Sequence, residues 1–190
     1  MSYYTHDELR MLGLAKVGKN VLISKKASLY NFRFISIGDH VRIDDFCILS
    51  AGEGGIEIDN YVHIAPFCSL IGMGKIKMQD FSGLSSRVSI YSSNDDYTGQ
   101  FLTNPTVPAQ YTGVSHADVV LGKHVIIGSG SVILPGSLIE EGAAIGSLSL
   151  VTKNCRAFGI YSGVPAKFIK ERKRDLLKLE IELIKNTKSQ

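Results

Sequence analysis

VVLGKHVIIGSGSVILPGSLIEEGAAIGSLSLVTK, residues 119–153, repeats every six residues, and that period decides the fold. Cut into sixes it reads LGKHVI, IGSGSV, ILPGSL, IEEGAA, IGSLSL and VTK. Each unit opens on an aliphatic residue: Leu121, Ile127, Ile133, Ile139, Ile145 and Val151. The fifth place of each complete unit is small or β-branched: Val125, Ser131, Ser137, Ala143 and Ser149. A helix would return apolar residues about every 3.6 positions and a half-buried strand every second one, so neither produces this pattern. A six-residue period suits a β-helix, in which short flat strands form the sides of a coil and turns form its corners. Three units close a coil of about 18 residues, so each opener lies on its counterpart in the next coil. The expected fold is mainly β, a parallel β-helix whose core is a column of aliphatic side chains.

Upstream the same pattern begins at Ile37 with IGDHVR and IDDFCI, breaks at LSAGEGG, and resumes through IDNYVH, IAPFCS, LIGMGK, MQDFSG and LSSRVS to Ile90. Gly52, Gly54 and Gly55 mark a turn or bulge that takes in extra residues. Between 91 and 117 the hexads stop, and a long irregular insertion in a regular scaffold is commonly functional. Tyr91, Tyr97, Phe101 and Tyr111 let it pack, so it reads as an ordered arm reaching a neighbouring subunit. Thr5 and Glu8 fit a capping box, with Leu9, Met11 and Leu12 on the apolar face of one short helix. After Pro165 a basic helix carries Ile169, Leu176, Leu177, Leu179, Ile181, Leu183 and Ile184 on one side, and is expected to cap the open end of the column. The organisation is thus one domain over 1–190: a helical segment at 1–20, the β-helix at 21–164 with its projecting loop at 91–117, and a C-terminal helix at 165–190.

The chain has 190 residues and a net charge of +3, too small to imply a nucleic-acid partner. It holds no apolar run of the roughly 18 residues that a membrane span needs, and MSYYTHDELR lacks a signal peptide's apolar core. A cytoplasmic protein is expected. Cys47, Cys68 and Cys155 form no CxxC pair, so neither a zinc site nor a disulfide framework is indicated. Cys47 and Cys68 hold fifth places and should be small inward residues. A carbonic-anhydrase-like zinc enzyme would need three converging histidines; His116 and His124 are poorly spaced for that and lack a third partner.

The IGSGSVILPG core, the VTK step and the closing GVPAKFIK together resemble the hexapeptide-repeat sugar O-acetyltransferases, especially the galactoside and O-antigen branch. The resemblance implies a left-handed parallel β-helix, acetyl-CoA as co-substrate, and a homotrimer whose adjacent coils line the CoA groove. It implies an acetyl-CoA-dependent O-acetyltransferase acting on a sugar or glycan intermediate, as in O-antigen or capsule assembly. One alternative is an N-acetyltransferase of a nucleotide-linked aminosugar; another is a non-catalytic scaffold of the same fold.

Acetyl transfer needs a base, an oxyanion donor and a groove for the pantetheine arm. Galactoside and maltose acetyltransferases carry a catalytic His in a run resembling IYTATHP; here the run is IYSSNDD, with Asp95 in that place. An unperturbed aspartate, near pKa 3.9, is a far weaker base than histidine, near about 6.5. His40 and His124 fall at corners and read as turn residues, and His6 as solvated. His63 ends IDNYVH and should point outward, and YVHIAP resembles sialic-acid and bacillosamine N-acetyltransferases, whose His faces the thioester. The expected arrangement makes His63 the general base, with Asp95 or Asp96 setting its tautomer, and His116 in reserve. By the same resemblance Ser129 and Ser147 line the CoA groove, while Thr152, Lys153 and Lys167 meet the adenine and phosphates. An N–H of the 128–130 turn is a candidate for the oxyanion. Arg87, Asn94, Asp96 and Tyr97 suit a sugar acceptor, where planar polar groups grip hydroxyls and an aromatic packs on the ring.

Overall fold

Each six-residue unit forms one short strand and one corner, and the strands collect into three faces of six, eight and six strands, parallel except for the last strand of the second face. The computed structural model describes residues 2–188. The first face includes Ile35–Ile37, Ile76–Met78 and Val119–Leu121. The second includes Arg42–Ile43, His63–Ile64, Gly83–Leu84, Ile126–Ile127 and Ala144–Ile145. The third includes Ser69–Gly72, Ser89–Tyr91, Val132–Ile133 and Leu150–Val151.

The register explains the period. Leu121 lies opposite Ile139, Ile127 opposite Ile145 and Ile133 opposite Val151, so each opener stacks on the one 18 residues later. All six are buried, as are the fifth-place residues. The buried hydroxyls of Ser131 and Ser149 donate to the Gly146 carbonyl and that of Ser137 to Leu134, which removes the cost of unpaired polar groups in the column. Cys47 and Cys68 also point inward as free thiols, each 3.1 Å from a carbonyl. The lower coils are longer than the repeat suggests: Ile37 lies opposite Ile58, a step of 21 residues.

The corners carry side chains as regular as the core. Between the first and second faces, His40, Tyr61, Phe81 and His124 all adopt left-handed φ between 56° and 60°. That conformation is costly for bulky residues. Their rings stack in one ladder with centroids 4.6, 4.8 and 5.1 Å apart, and these contacts help offset the strain.

Both ends refine the expectations. Helix α1, His6–Met11, has the capping box: Glu8 N–H donates to Thr5 Oγ1 at 3.2 Å and Thr5 N–H to the Glu8 carboxylate at 2.7 Å. Leu9 is buried, but Met11 is 78% exposed, because so short a helix turns only a narrow face inward. At the C-terminus, residues 167–171 are not helical. Lys167–Glu171 forms a strand antiparallel to Gly159–Ser162, since the last strand of the second face would otherwise leave a row of unpaired N–H and C=O groups. Helix α2 is Leu176–Lys188; the rest of the expected helix, 189–190, lies outside the described residues. It flanks the coil rather than capping its end, with Leu176, Leu179 and Leu183 beside Phe81 and His124. Glu180 anchors it, accepting from Lys123 Nζ and meeting His124 Nε2 at 2.8 Å. Burial opposes the charge on Glu180, yet these bonds outweigh it and hold the carboxyl below its ordinary range.

Candidate active site

On the second face the alternation of the strands sends Ile43, Ile64, Leu84, Ile127 and Ile145 inward and leaves Arg42, His63, Gly83, Ile126 and Ala144 in register outside. A cleft of about 620 Å³ lies along this outer row. His63, Gly83, Ser85, Ser86, Ile126 and Ser129 line its floor, and the ladder rings and Arg172 its wall. Arg172 Nη1 donates to the carbonyls of His124 and Gly142, both at 2.9 Å, and ties the segment before α2 to the corner. Burial lowers its pKa.

His63 Nε2 stands 2.8 Å from Asp44 Oδ2, and Asp44 is 2% exposed. The other carboxylate oxygen accepts from Arg42 Nε at 2.7 Å, a bond that raises the guanidinium pKa. A carboxylate only accepts, so Nε2 carries the proton, and Nδ1 of the neutral ring keeps its lone pair on a half-exposed side chain. Asp95 and Asp96, the expected partners, do not hold this histidine. The coil register puts Asp44 on the same outer surface one coil below His63, whereas the loop carboxylates leave from the third face.

That loop begins as a ribbon, Ser93–Asn94 antiparallel to Ser115–His116, and His116 Nδ1 meets Ser93 Oγ at 2.8 Å. A second cleft of about 410 Å³ lies against the third face between Tyr91, Asn94, Asp95, Tyr97, Val132 and Leu134. Asp95 is exposed, and Tyr97 is 88% exposed. Asp96 is engaged by its own loop: it accepts from the hydroxyl and N–H of Thr98 and from the N–H groups of Gly99 and Phe101. Led by the Thr98 hydroxyl, these bonds hold its pKa at about 2. A carboxyl depressed in the folded loop contributes order in full above its ordinary pKa of 3.8, and that contribution is lost as pH falls through about 2. Asp96→Ala is expected to speed amide exchange at Thr98, Gly99 and Phe101 by about tenfold or more at neutral pH; unchanged exchange would show that the loop is ordered otherwise.

Ser129 and Ser147 are exposed at the corner between the second and third faces, one coil apart, with Leu148 N–H donating to the Ser129 carbonyl at 2.9 Å. Lys167 pairs with Ser162 in the terminal hairpin, and Ser162 packs on Gly146, so Lys167, Ser147 and Ser129 follow one line. Arg87 sits lower on that corner, its guanidinium 5.4 Å from the Phe67 ring centre, apart from Asn94, Asp96 and Tyr97. Thr152 and Lys153 are exposed at the far corner of the third face, away from that line. Asp44, Gly83, Ser85 and Arg172 were not singled out by sequence. Asp44 had a signal, the doubled aspartate of IDDFCI, which puts a carboxylate directly after strand Arg42–Ile43.

Among the described residues no group of His, Cys, Asp and Glu is set to hold a metal ion, and no helix is long and apolar enough to cross a membrane.

No family model matches the chain. It is 53% identical over 180 residues, 95% of its length and 94% of the relative's, to the dTDP-4-amino-4,6-dideoxy-D-glucose acyltransferase of Escherichia coli. The crystal structure of AntD, an N-acyltransferase from Bacillus cereus, in complex with dTDP and 3-hydroxybutyryl-CoA superposes with a TM-score of 0.94 at 48% identity, covering 98% of both chains. AntD has also been solved with one aspartate or one serine replaced, bound to CoA. A maltose O-acetyltransferase from Clostridium difficile shares the fold, with a TM-score of 0.60 at 22% identity over 88% of this chain and 74% of that one. The chain belongs to the hexapeptide-repeat sugar acyltransferase family of its E. coli relative, and it is an acyl-CoA-dependent acyltransferase.

Proposed function

We propose that the protein transfers the acyl group of acetyl-CoA, or of a slightly longer acyl-CoA, to the amine of a dTDP-linked 4-amino-4,6-dideoxyhexose. The identity of 53% with an acyltransferase of that nucleotide sugar, across nearly the full length of both chains, carries this reading. It favours the aminosugar alternative over O-acetylation of a glycan.

The two clefts are two walls of one site in a homotrimer, the second-face cleft of one copy meeting the loop cleft of the next. CoA follows the corner from Lys167 past Ser147 and Ser129 to Ser86. From the hairpin strand Gly159–Ser162 down to His63–Ile64 is four strand steps, about 19 Å at the usual strand spacing, a length that suits an extended pantetheine arm. The thioester then lies beside Ser85 and His63. Thr152 and Lys153 reach the adenine end from a neighbouring copy, and Arg87, Asn94 and Tyr97 contact the nucleotide sugar.

Asp95 of the partner subunit pairs with the acceptor ammonium and orients it, and Ser85 hydrogen-bonds the same amine. The aspartate and serine replaced in AntD lie ten residues apart, as Ser85 and Asp95 do here. Ser86 and Asp96 share that spacing, but both Asp96 oxygens are already engaged. Once the ammonium has given one proton to solvent, the neutral amine attacks; His63 Nδ1 accepts the second proton from the nitrogen as the N–C bond forms; an N–H of the 128–130 turn stabilises the oxyanion; the C–S bond breaks, the CoA thiolate takes its proton from solvent, and His63 returns its own to solvent. The test is acyl transfer to the dTDP-linked amine against its 4-hydroxyl counterpart. Amide formation at least about 10²-fold faster supports the reading; equal or faster ester formation returns the assignment to O-acetylation.

A further inference from the structure

Gly83 is the one glycine of the chain's 19 that neither φ nor close packing requires. Every other glycine either has left-handed φ or would bring an added Cβ within 3.0 Å of another atom. A Cβ at Gly83 would meet only the His63 carbonyl oxygen and Ile126 Cδ1, both at 3.6 Å, which is ordinary contact. The residue sits inside a paired strand, in register between His63 and Ile126, where glycine is a poor choice for stability. Its missing side chain opens outward into the cleft. A glycine unexplained by conformation or by close packing, on the floor of a binding cleft, leaves room for a ligand.

We infer that Gly83 holds open the space taken by the acyl chain and so sets the length of acyl group that the enzyme accepts. The inference rests on the acyl-CoA reading above, which brings the thioester to the row of Ser85 and His63. From there the cleft continues over Gly83 toward the half-exposed apolar side chain of Ile126, a surface suited to methylenes beyond the acetyl methyl. A side chain at position 83 fills this space while leaving the corner that carries pantetheine untouched.

The experiment compares Gly83→Ala and Gly83→Val with wild type, using acetyl-CoA and butyryl-CoA. Turnover is read with the dTDP-linked aminosugar, and calorimetry gives Kd for CoA, acetyl-CoA and butyryl-CoA. The expected result is a selective loss: Gly83→Val lowers kcat/KM for butyryl-CoA about 10- to 200-fold more than for acetyl-CoA, Gly83→Ala does so to a smaller degree, CoA affinity stays within about twofold, and Tm does not fall in the alanine variant. Equal losses for both donors, or none for either, would overturn the inference. Should wild type acylate no aminosugar nucleotide, the proposed acceptor fails, while the calorimetric arm still decides on Gly83: weakened butyryl-CoA with unchanged acetyl-CoA supports it, and parallel weakening overturns it. Should the valine variant fail to fold, the alanine variant decides by the same comparison.

Discussion

Asp95→Ala is expected to lower kcat/KM for the dTDP-linked aminosugar by about 10²- to 10³-fold while Kd for CoA stays unchanged. The physical ground is the contrast between two adjacent carboxylates. Asp96 spends its oxygens on Thr98, Gly99 and Phe101 and shapes the loop. Asp95 is exposed, lines the cleft on the third face, and its carboxylate makes no bond within the loop, so its removal costs the loop little. A carboxylate without an internal partner is free to pair with the ammonium of an acceptor, whereas a hydroxyl acceptor would gain only a hydrogen bond from it. Asp95→Asn keeps the shape and one acceptor oxygen but loses the charge, so most of the deficit should persist. Full activity in Asp95→Ala would remove this residue from the site.

His63→Ala is expected to reduce kcat by about 10²- to 10⁴-fold, the usual contribution of a general base. The alternative is that the His63–Asp44–Arg42 network only braces the second face. A bracing role predicts a lower Tm with an unaltered pH profile. A base predicts a loss of kcat with an altered pH profile and an unchanged Tm in His63→Ala. Asp44→Asn separates the two further. It weakens the hold on Nε2–H, so the ring samples the wrong tautomer and kcat falls by about tenfold or more. The losses should not add in the double variant, because the two residues act as one unit.

The coil was legible because its core obeys a strict local rule. Leu121, Ile127 and Ile133 return six residues apart and pair with Ile139, Ile145 and Val151 at a constant step. The partner of His63 was not legible in that way, since finding Asp44 requires the length of the lower coils, which run to 21 residues where the corner insertions fall. FIKERKRDLL carries a helical stripe that points to helix over Lys167–Glu171, while the demand of an unpaired strand edge is a tertiary effect with no local trace. The candidate site residues were found as separate points. His63, Ser129, Ser147 and Lys167 follow one side of the coil, and Asn94, Asp95 and Tyr97 another. A six-residue period fixes what lies inside one coil and says nothing about which outer surfaces meet between copies.

The most direct test of a shared site is to co-express two inactive variants, His63→Ala and Asp95→Ala, and to measure amide formation from acyl-CoA and the dTDP-linked aminosugar in the mixed trimers. A site built from His63 of one copy and Asp95 of the next becomes intact wherever an Asp95→Ala chain supplies the histidine and a His63→Ala chain the aspartate. About a quarter of sites in randomly mixed closed trimers meet that condition. The account therefore predicts recovery of about a quarter of wild-type activity from two chains that are each inactive alone. No recovery in confirmed mixed trimers would mean that both residues serve one chain's own site or none, and would contradict it.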